Sequence, residues 1–355
     1  MSDTASAPVT DDAVLASGIS LVLGSGGARG YAHIGVIEEL LEQGFRIESI
    51  AGSSMGALVG GVYAAGKLDQ YRDWVGSMQK YDVWRMLDWT LSGGGFIKGD
   101  RIIGALRDLV GETSIEDLSI PYTAVAVDIN TQREVWLSRG SLFDAIRASI
   151  ATPTIFRPYH YHGRVLVDGG LLNPVPVSAT LRDLTDCTIA VDVNALAEPL
   201  DSEATAQAES PLATDRASLV ALEEVDRGVA GQASPEVLEP QDVTAPARGV
   251  DYYRKNVGKL LDSLLATRGH RADAHEPGVV ELFARSLDTV QATITRLKLA
   301  AQPPDLLITI PRNACAFYEF HRAEELIEIG RRRTREALKR WHRPPPRRPG
   351  QSWIK

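Results

Sequence analysis

Two glycine-rich turns, each ending a short apolar run, constrain what this chain can fold into. The first run is Ile19 to Leu23, and Gly24-Ser25-Gly26-Gly27-Ala28-Arg29-Gly30 follows it. The second is Ile47 to Ala51, which breaks at Gly52-Ser53-Ser54-Met55-Gly56. Such runs read as buried strands, and the glycines are too dense for a strand or helix interior. Beyond the first turn, Ile34, Ile37, Leu40 and Leu41 recur at helical spacing. Glu38, Glu39, Glu42 and Gln43 take the other side, and Gly44 is the stop. Beyond the second, a small-residue helix is expected from about Met55 to Ala65.

Strands are expected at Pro121 to Ile129, Glu134 to Leu137, Arg164 to Val167, Cys187 to Val193 and Leu306 to Ile310. Ser141 to Ile150 reads as a helix opened by Ser141 with Asp144 three residues on, a capping-box pattern. Strands alternating with helices imply a largely parallel sheet covered on both faces.

Composition separates the rest. Residues 1–17 read as a flexible tail. Three aspartates and no basic residue make them unlike a secretory signal. Glu198 to Arg248 holds 11 acidic and 3 basic residues, five prolines and no aromatic, which suggests a poorly ordered insertion. Residues 252–300 read as helical. Arg331 to Gly350 holds nine basic residues and one acid. The expected organisation is a core over 18–194, an insertion over 195–302, a closing strand and helix over 303–335 and a basic tail over 336–355. The formal net charge of -8 argues against nucleic acid as a partner. The two cysteines, Cys187 and Cys315, exclude a disulfide framework and a Cys-rich zinc site, and a reducing, cytoplasmic setting is expected. The uncharged stretch Ser49 to Gly66 is too rich in Gly and Ser for a membrane span.

Gly52-Ser53-Ser54-Met55-Gly56 is a G-x-S-x-G pattern centred on Ser54. A nucleophilic serine needs a sharp strand-to-helix turn that exposes its hydroxyl at a helix N-terminus, and Gly52 and Gly56 allow that elbow. The alternative is a Gly-rich turn with a capping serine. For Gly24 to Gly30 three readings stand open: backbone donors for an oxyanion, a dinucleotide-binding loop, and a plain turn. The dinucleotide pattern fits imperfectly, since a start at Gly24 puts Arg29 where its third glycine belongs. Asp168, at a strand end before Gly169-Gly170, is the best-placed acid. It can act as base to a serine without histidine, or it can be a turn former. Of His33, His160, His162, His270, His275, His321 and His342, none sits in an obvious strand-end loop.

Taken in order, GSGGARG, GSSMG and DGG resemble the motifs of the patatin-like phospholipases, in particular the bacterial branch. YAHIGVIEEL, GFIKGDRI, IRASIATPTIF, GRVLVDGGLLNPVPV, DLLITIP and FHRAEELIEIG extend the likeness over about residues 18–194 and 303–335. Ser25 stands where many members have another glycine. The resemblance implies a three-layer α/β/α sandwich with a mostly parallel central sheet, and no metal or organic cofactor. It implies Ser54 as nucleophile, Asp168 as its dyad partner and Gly26, Gly27, Ala28 and Arg29 as the oxyanion segment. The implied reaction is acyl transfer from a lipid ester. Two further expectations concern access. Trp84, Met86, Leu87, Trp89, Leu91, Phe96 and Ile97 form either an apolar lip or ordinary core. The basic tail docks on anionic membrane, is simply solvated, or pairs with the acidic insertion of the same chain. A catalytically silent regulatory protein on the same fold and a nucleotide-dependent oxidoreductase are the alternatives.

Overall fold

A computed structural model describes residues 18–79, 81–82, 88, 95–198 and 279–341. The N-terminal tail, nearly all of the acidic insertion, the lip residues from Trp84 to Leu87 with Trp89 and Leu91, and the chain beyond Trp341 lie outside them.

The first apolar run forms β1 (Gly18–Leu23), a single 3-10 turn spans Gly27–Tyr31, and α1 (Ala32–Glu42) follows. Gly44, at φ 80°, donates to the Leu41 carbonyl and stops the helix. Next come β2 (Arg46–Ser53) and α2 (Met55–Ala64), then α3 (Leu68–Ser77), β3 (Gly95–Ile97) and α4 (Asp100–Val110). The chain continues through β4 (Tyr122–Asp128), β5 (Arg133–Leu137) and α5 (Leu142–Ser149). Short strands β6 (Thr154–Phe156) and β7 (Tyr159–Tyr161) lead to β8 (Arg164–Asp168) and β9 (Cys187–Ala195). A long helix, α6 (Val279–Ala301), then β10 (Leu306–Pro311) and α7 (Ala323–Arg340) complete the described chain.

Eight of these strands share the main sheet. β10, β9, β1, β2 and β4 lie side by side and parallel. β1 is central and buried on both faces. Leu21 and Leu23 belong to the apolar cluster containing Ile34, Ile37, Leu58 and Leu326. Val22, one residue out of phase, packs with Val175, Val177, Ala190 and Leu299 instead. Alternating partners along one strand mean covered faces on both sides, so the architecture is three layers, α/β/α.

One edge of β4 is shared by two strands. β2 pairs with its first half, ending at Ser53 opposite Val125. β8 pairs antiparallel with its second half, and Asp168 lies opposite Ala126. β5 takes the other edge from Ala124 to Asp128. β2 and β8 therefore run toward each other along one line, and their C-terminal ends meet.

Part of the acidic side of α1 is covered: Glu39 is buried and Glu38 half-buried, while Glu42 stays exposed. α7 crosses α1 at two glycines. A Cβ on Gly35 would lie 1.9 Å from the Ile327 carbonyl oxygen, and one on Gly330 would lie 2.1 Å from that of Ala32. This close approach brings Arg331 to Glu38 at 2.8 Å and Glu42 at 2.6 Å, and Arg335 to the fully buried Glu39 at 2.8 Å. Arg333 pairs with Glu198. The basic run is thus helical as far as Arg340. Among the described residues its ion-pair partners are Glu38, Glu39 and Glu42 of α1, Glu336 of α7 and Glu198 at the start of the insertion. The capping box at Ser141 is half formed. The Asp144 N–H donates to Ser141 Oγ at 3.3 Å, but the Asp144 carboxylate turns away to accept from the Tyr159 hydroxyl at 2.8 Å.

Candidate active site

The meeting of β2 and β8 brings Ser54 and Asp168 together. Ser54 follows the last residue of β2 and caps α2 with φ 55° and ψ -122°, a conformation rare for a residue with a Cβ. A turn this sharp needs both flanking glycines. A Cβ on Gly52 would come within 2.4 Å of the Gly56 backbone, and one on Gly56 within 2.1 Å of the Leu23 carbonyl oxygen. The Ser54 N–H donates to Ser149 Oγ at 2.9 Å, and Ser149 Oγ donates to the Val125 carbonyl at 2.6 Å. The N-terminal amides of α2 begin at Met55, so the positive end of that helix lies against Ser54.

Ser54 Oγ donates to Asp168 Oδ2 at 2.7 Å. Both side chains are buried. Thr152 Oγ1 donates to the same oxygen at 2.7 Å, and the Gly170 N–H donates to Oδ1 at 2.7 Å. Burial raises the Asp168 pKa above the usual carboxylate range, and the hydrogen bonds from Thr152, Ser54 and Gly170 pull against that rise. A carboxylate with raised proton affinity, in contact with a hydroxyl at a helix N-terminus, can remove the hydroxyl proton as the oxygen attacks an electrophile. Neither side chain hydrogen-bonds to a histidine among the described residues. His33 is buried in α1 and its Nε2 meets the Gly24 carbonyl at 2.8 Å. His160 and His162 are exposed, while His270, His275 and His342 lie outside the described residues.

The glycine loop closes over the start of α2. Its four expected oxyanion residues divide into two kinds. The Ala28 N–H is already taken by the Phe317 carbonyl at 2.9 Å. The Arg29 guanidinium is turned into the loop's own scaffold: Nε meets the Gly26 carbonyl at 3.3 Å and Nη1 the Arg312 carbonyl at 2.9 Å. Asp288 of α6 lies 3.8 Å from Nη2. The amides of Gly26 and Gly27 make no hydrogen bond among the described residues, so of the four they are the ones with an N–H to offer. Ser149 and Thr152 escape sequence reasoning. IRASIAT carries both, but nothing in that string says that one hydroxyl faces the elbow and the other the carboxylate.

The model of the patatin-like phospholipases matches residues 21–181. The NTE family protein Rv1063c of Mycobacterium tuberculosis is 40% identical over 334 residues, covering 90% of this chain and 91% of its own. A patatin-like phospholipase domain-containing protein of Caenorhabditis elegans, ZK370.4, is 35% identical over 188 residues, 51% of this chain and 14% of that one. Neuropathy target esterase sws of Drosophila melanogaster is 32% identical over 182 residues, 49% of this chain and 13% of its own length.

Proposed function

Because the chain belongs to the patatin-like phospholipases and, among them, to the NTE family, we propose that it is a serine hydrolase cleaving acyl ester bonds of lipids through Ser54 and Asp168. The observation that carries the reading is the 2.7 Å contact between Ser54 Oγ and Asp168 Oδ2 in a buried setting. Asp168 accepts the Ser54 proton while Oγ bonds to the ester carbonyl carbon. The developing oxyanion is held by the Gly26 and Gly27 amides. Collapse expels the alcohol, which takes the proton back from Asp168, and leaves Ser54 acylated. Water then attacks the acyl carbon with Asp168 again taking the proton. The fatty acid leaves and Ser54 is regenerated.

The test is labelling with a fluorophosphonate together with fatty-acid release from phospholipid and from a short soluble ester. The parent protein should be labelled and active, and Ser54→Ala should lose both. Full labelling of Ser54→Ala would remove Ser54 from the mechanism.

Lipid substrates place the enzyme at a bilayer surface. No helix among the described residues is long and apolar enough to cross a membrane. With Arg331, Arg333 and Arg335 engaged in ion pairs, docking on anionic lipid falls to exposed Arg332, Lys339 and Arg340 and to the basic residues of sequence beyond Trp341. Vesicle association should then weaken steeply with salt, because exposed charges are screened within about 8 Å at physiological ionic strength. Salt-independent binding rejects this part alone.

A further inference from the structure

The backbone of Gly24-Ser25-Gly26 is held by side chains. Three successive carbonyls in it are each gripped by a side chain from outside the tripeptide Gly24-Ser25-Gly26. His33 Nε2 meets the Gly24 carbonyl at 2.8 Å, Asn194 Nδ2 donates to the Ser25 carbonyl at 2.6 Å, and Arg29 Nε donates to the Gly26 carbonyl at 3.3 Å. These grips matter because a trans peptide is planar, with its C=O and N–H pointing in opposite directions. The peptide carrying the Ser25 carbonyl also carries the Gly26 N–H, and the peptide carrying the Gly26 carbonyl also carries the Gly27 N–H. Fixing the two carbonyls fixes the two free donors.

Glycines cannot supply that order themselves, since they rotate with little steric restraint. Gly27 sits at φ 56°, a conformation that side chains disfavour. The Ser25 N–H is meanwhile spent on the Pro174 carbonyl at 2.8 Å, which anchors the peptide before the two donors. Asn194 comes from the end of β9, next to β1 in the sheet. The chain leaves β1 toward α1 on one face. It reaches α6, whose Leu299 packs on the other face, after β9. Asn194 ties the end of β9 to the loop that follows β1 by its hydrogen bond to Ser25.

We propose that Asn194 and His33 are positioning residues for the oxyanion donors: through the Ser25 carbonyl Asn194 aims the Gly26 amide at the reacting carbonyl, and through the Gly24 carbonyl His33 anchors the peptide that leads into it. Neither touches substrate. The proposal rests on the ester-hydrolase reading above. With its Nε2 against a carbonyl oxygen, His33 must carry a proton on that nitrogen to be a donor. Its Nδ1 is buried without a partner, which suits a neutral ring.

The experiment compares the full-length parent with Asn194→Asp, His33→Leu and His33→Gln on a matched pair of short soluble esters, one with C=O and one with C=S at the reacting carbon. Sulfur is the poorer hydrogen-bond acceptor, so the ratio of the two rates reports on the oxyanion donors. Removing one such donor outright costs about 10²–10³ in kcat in a well-studied case. Misaiming should cost less, roughly tenfold or more. Asn194→Asp keeps the shape but replaces the donor with an acceptor. It should lower kcat on the oxygen ester with KM nearly unchanged, and it should shrink the oxygen-to-sulfur ratio. His33→Leu should do the same, and His33→Gln, which retains an N–H donor, should recover most of the loss. If His33→Leu does not fold, the half-buried Asn194 decides. A folded Asn194→Asp with parental kcat overturns the proposal. So does a loss in which the oxygen-to-sulfur ratio stays parental, since that is what general structural damage would give. A parent protein that hydrolyses neither ester overturns the hydrolase reading and this inference with it.

Discussion

Ser149 Oγ accepts the N–H of Ser54 at 2.9 Å and donates its own proton to the Val125 carbonyl at 2.6 Å. One buried hydroxyl thereby ties the strained elbow to the strand that β2 and β8 share. Ser54 keeps its unusual backbone only where neighbours over-determine it, at a strain of about 1–3 kcal/mol.

Ser149→Ala removes that tie and leaves the Ser54 N–H buried without a partner. An unsatisfied buried donor costs about 1–3 kcal/mol. We expect a lower melting midpoint by thermal denaturation and a lower kcat, because the elbow relaxes away from Asp168. A variant that matches the parent in both would show that α2 and the two glycines hold the turn unaided.

Thr152 and Ser54 donate to the same oxygen of Asp168. Each bond favours the ionised carboxylate and so lowers a pKa that burial has raised. Thr152→Val removes one of the two with little change in shape. The Asp168 pKa should rise further, and the proposed mechanism needs the unprotonated form. The acid limb of kcat/KM should move to higher pH, with more activity lost below neutrality than above it. A limb that stays in place, or moves toward acid, would detach Asp168 from the base role.

These contacts mark the limit of what the chain alone discloses. Both glycine turns and the Asp168 strand end are legible because each is a local pattern, an apolar run closed by residues that only a turn accommodates. α4 could also have been read. Ile103, Leu106 and Val110 are its buried face at helical spacing, behind Gly99 at φ 84°. The pairing of β2 with β8 along one edge of β4 could not, since strand order follows from no local signal. Nor could the burial of Glu39, which looks solvent-facing within α1 until Arg335 arrives from nearly three hundred residues away. Asn194 belongs with these. An asparagine at a strand end is ordinary, and only the neighbouring strand gives it a carbonyl to hold.

A site held for chemistry is often poor for stability, and Asp168 gives a direct measure. Its folded pKa is raised, so the charged form is disfavoured in the folded state relative to the unfolded chain. That contribution to stability is complete below the unfolded carboxylate pKa and is lost as pH rises through the folded value. At neutral pH the buried charge therefore weighs against folding. Asp168→Asn removes the charge, and its amide can donate to the Ser54 and Thr152 hydroxyls while its oxygen still accepts from Gly170. We expect an equal or higher melting midpoint at pH 7 with ester turnover lost. A lower midpoint would mean that the hydrogen bonds to the charged form outweigh its desolvation.

His33 carries the opposite sign. Burial pushes its pKa down to about 4, against an ordinary value of 6.5, with the bond to Gly24 pulling weakly the other way. Above about 6.5 the ring is neutral folded or unfolded, and its contribution to stability is fully present. Between 6.5 and 4 the unfolded chain binds a proton that the folded chain does not, so stability falls as pH falls through that window. At 1.36 kcal/mol per unit the loss is on the order of a few kcal/mol. Asp168, Asp192 and Asp288, each raised by burial, act in the reverse direction over overlapping pH. A single protein's profile therefore mixes both signs. The comparison that isolates His33 is the difference between the parent and His33→Gln, which keeps an N–H for Gly24 and cannot titrate. Urea unfolding midpoints at pH 7 and pH 5 should drop more in the parent than in His33→Gln. Equal drops would show that His33 binds its proton alike in both states, and the buried, neutral ring on the Gly24 carbonyl would have to be abandoned.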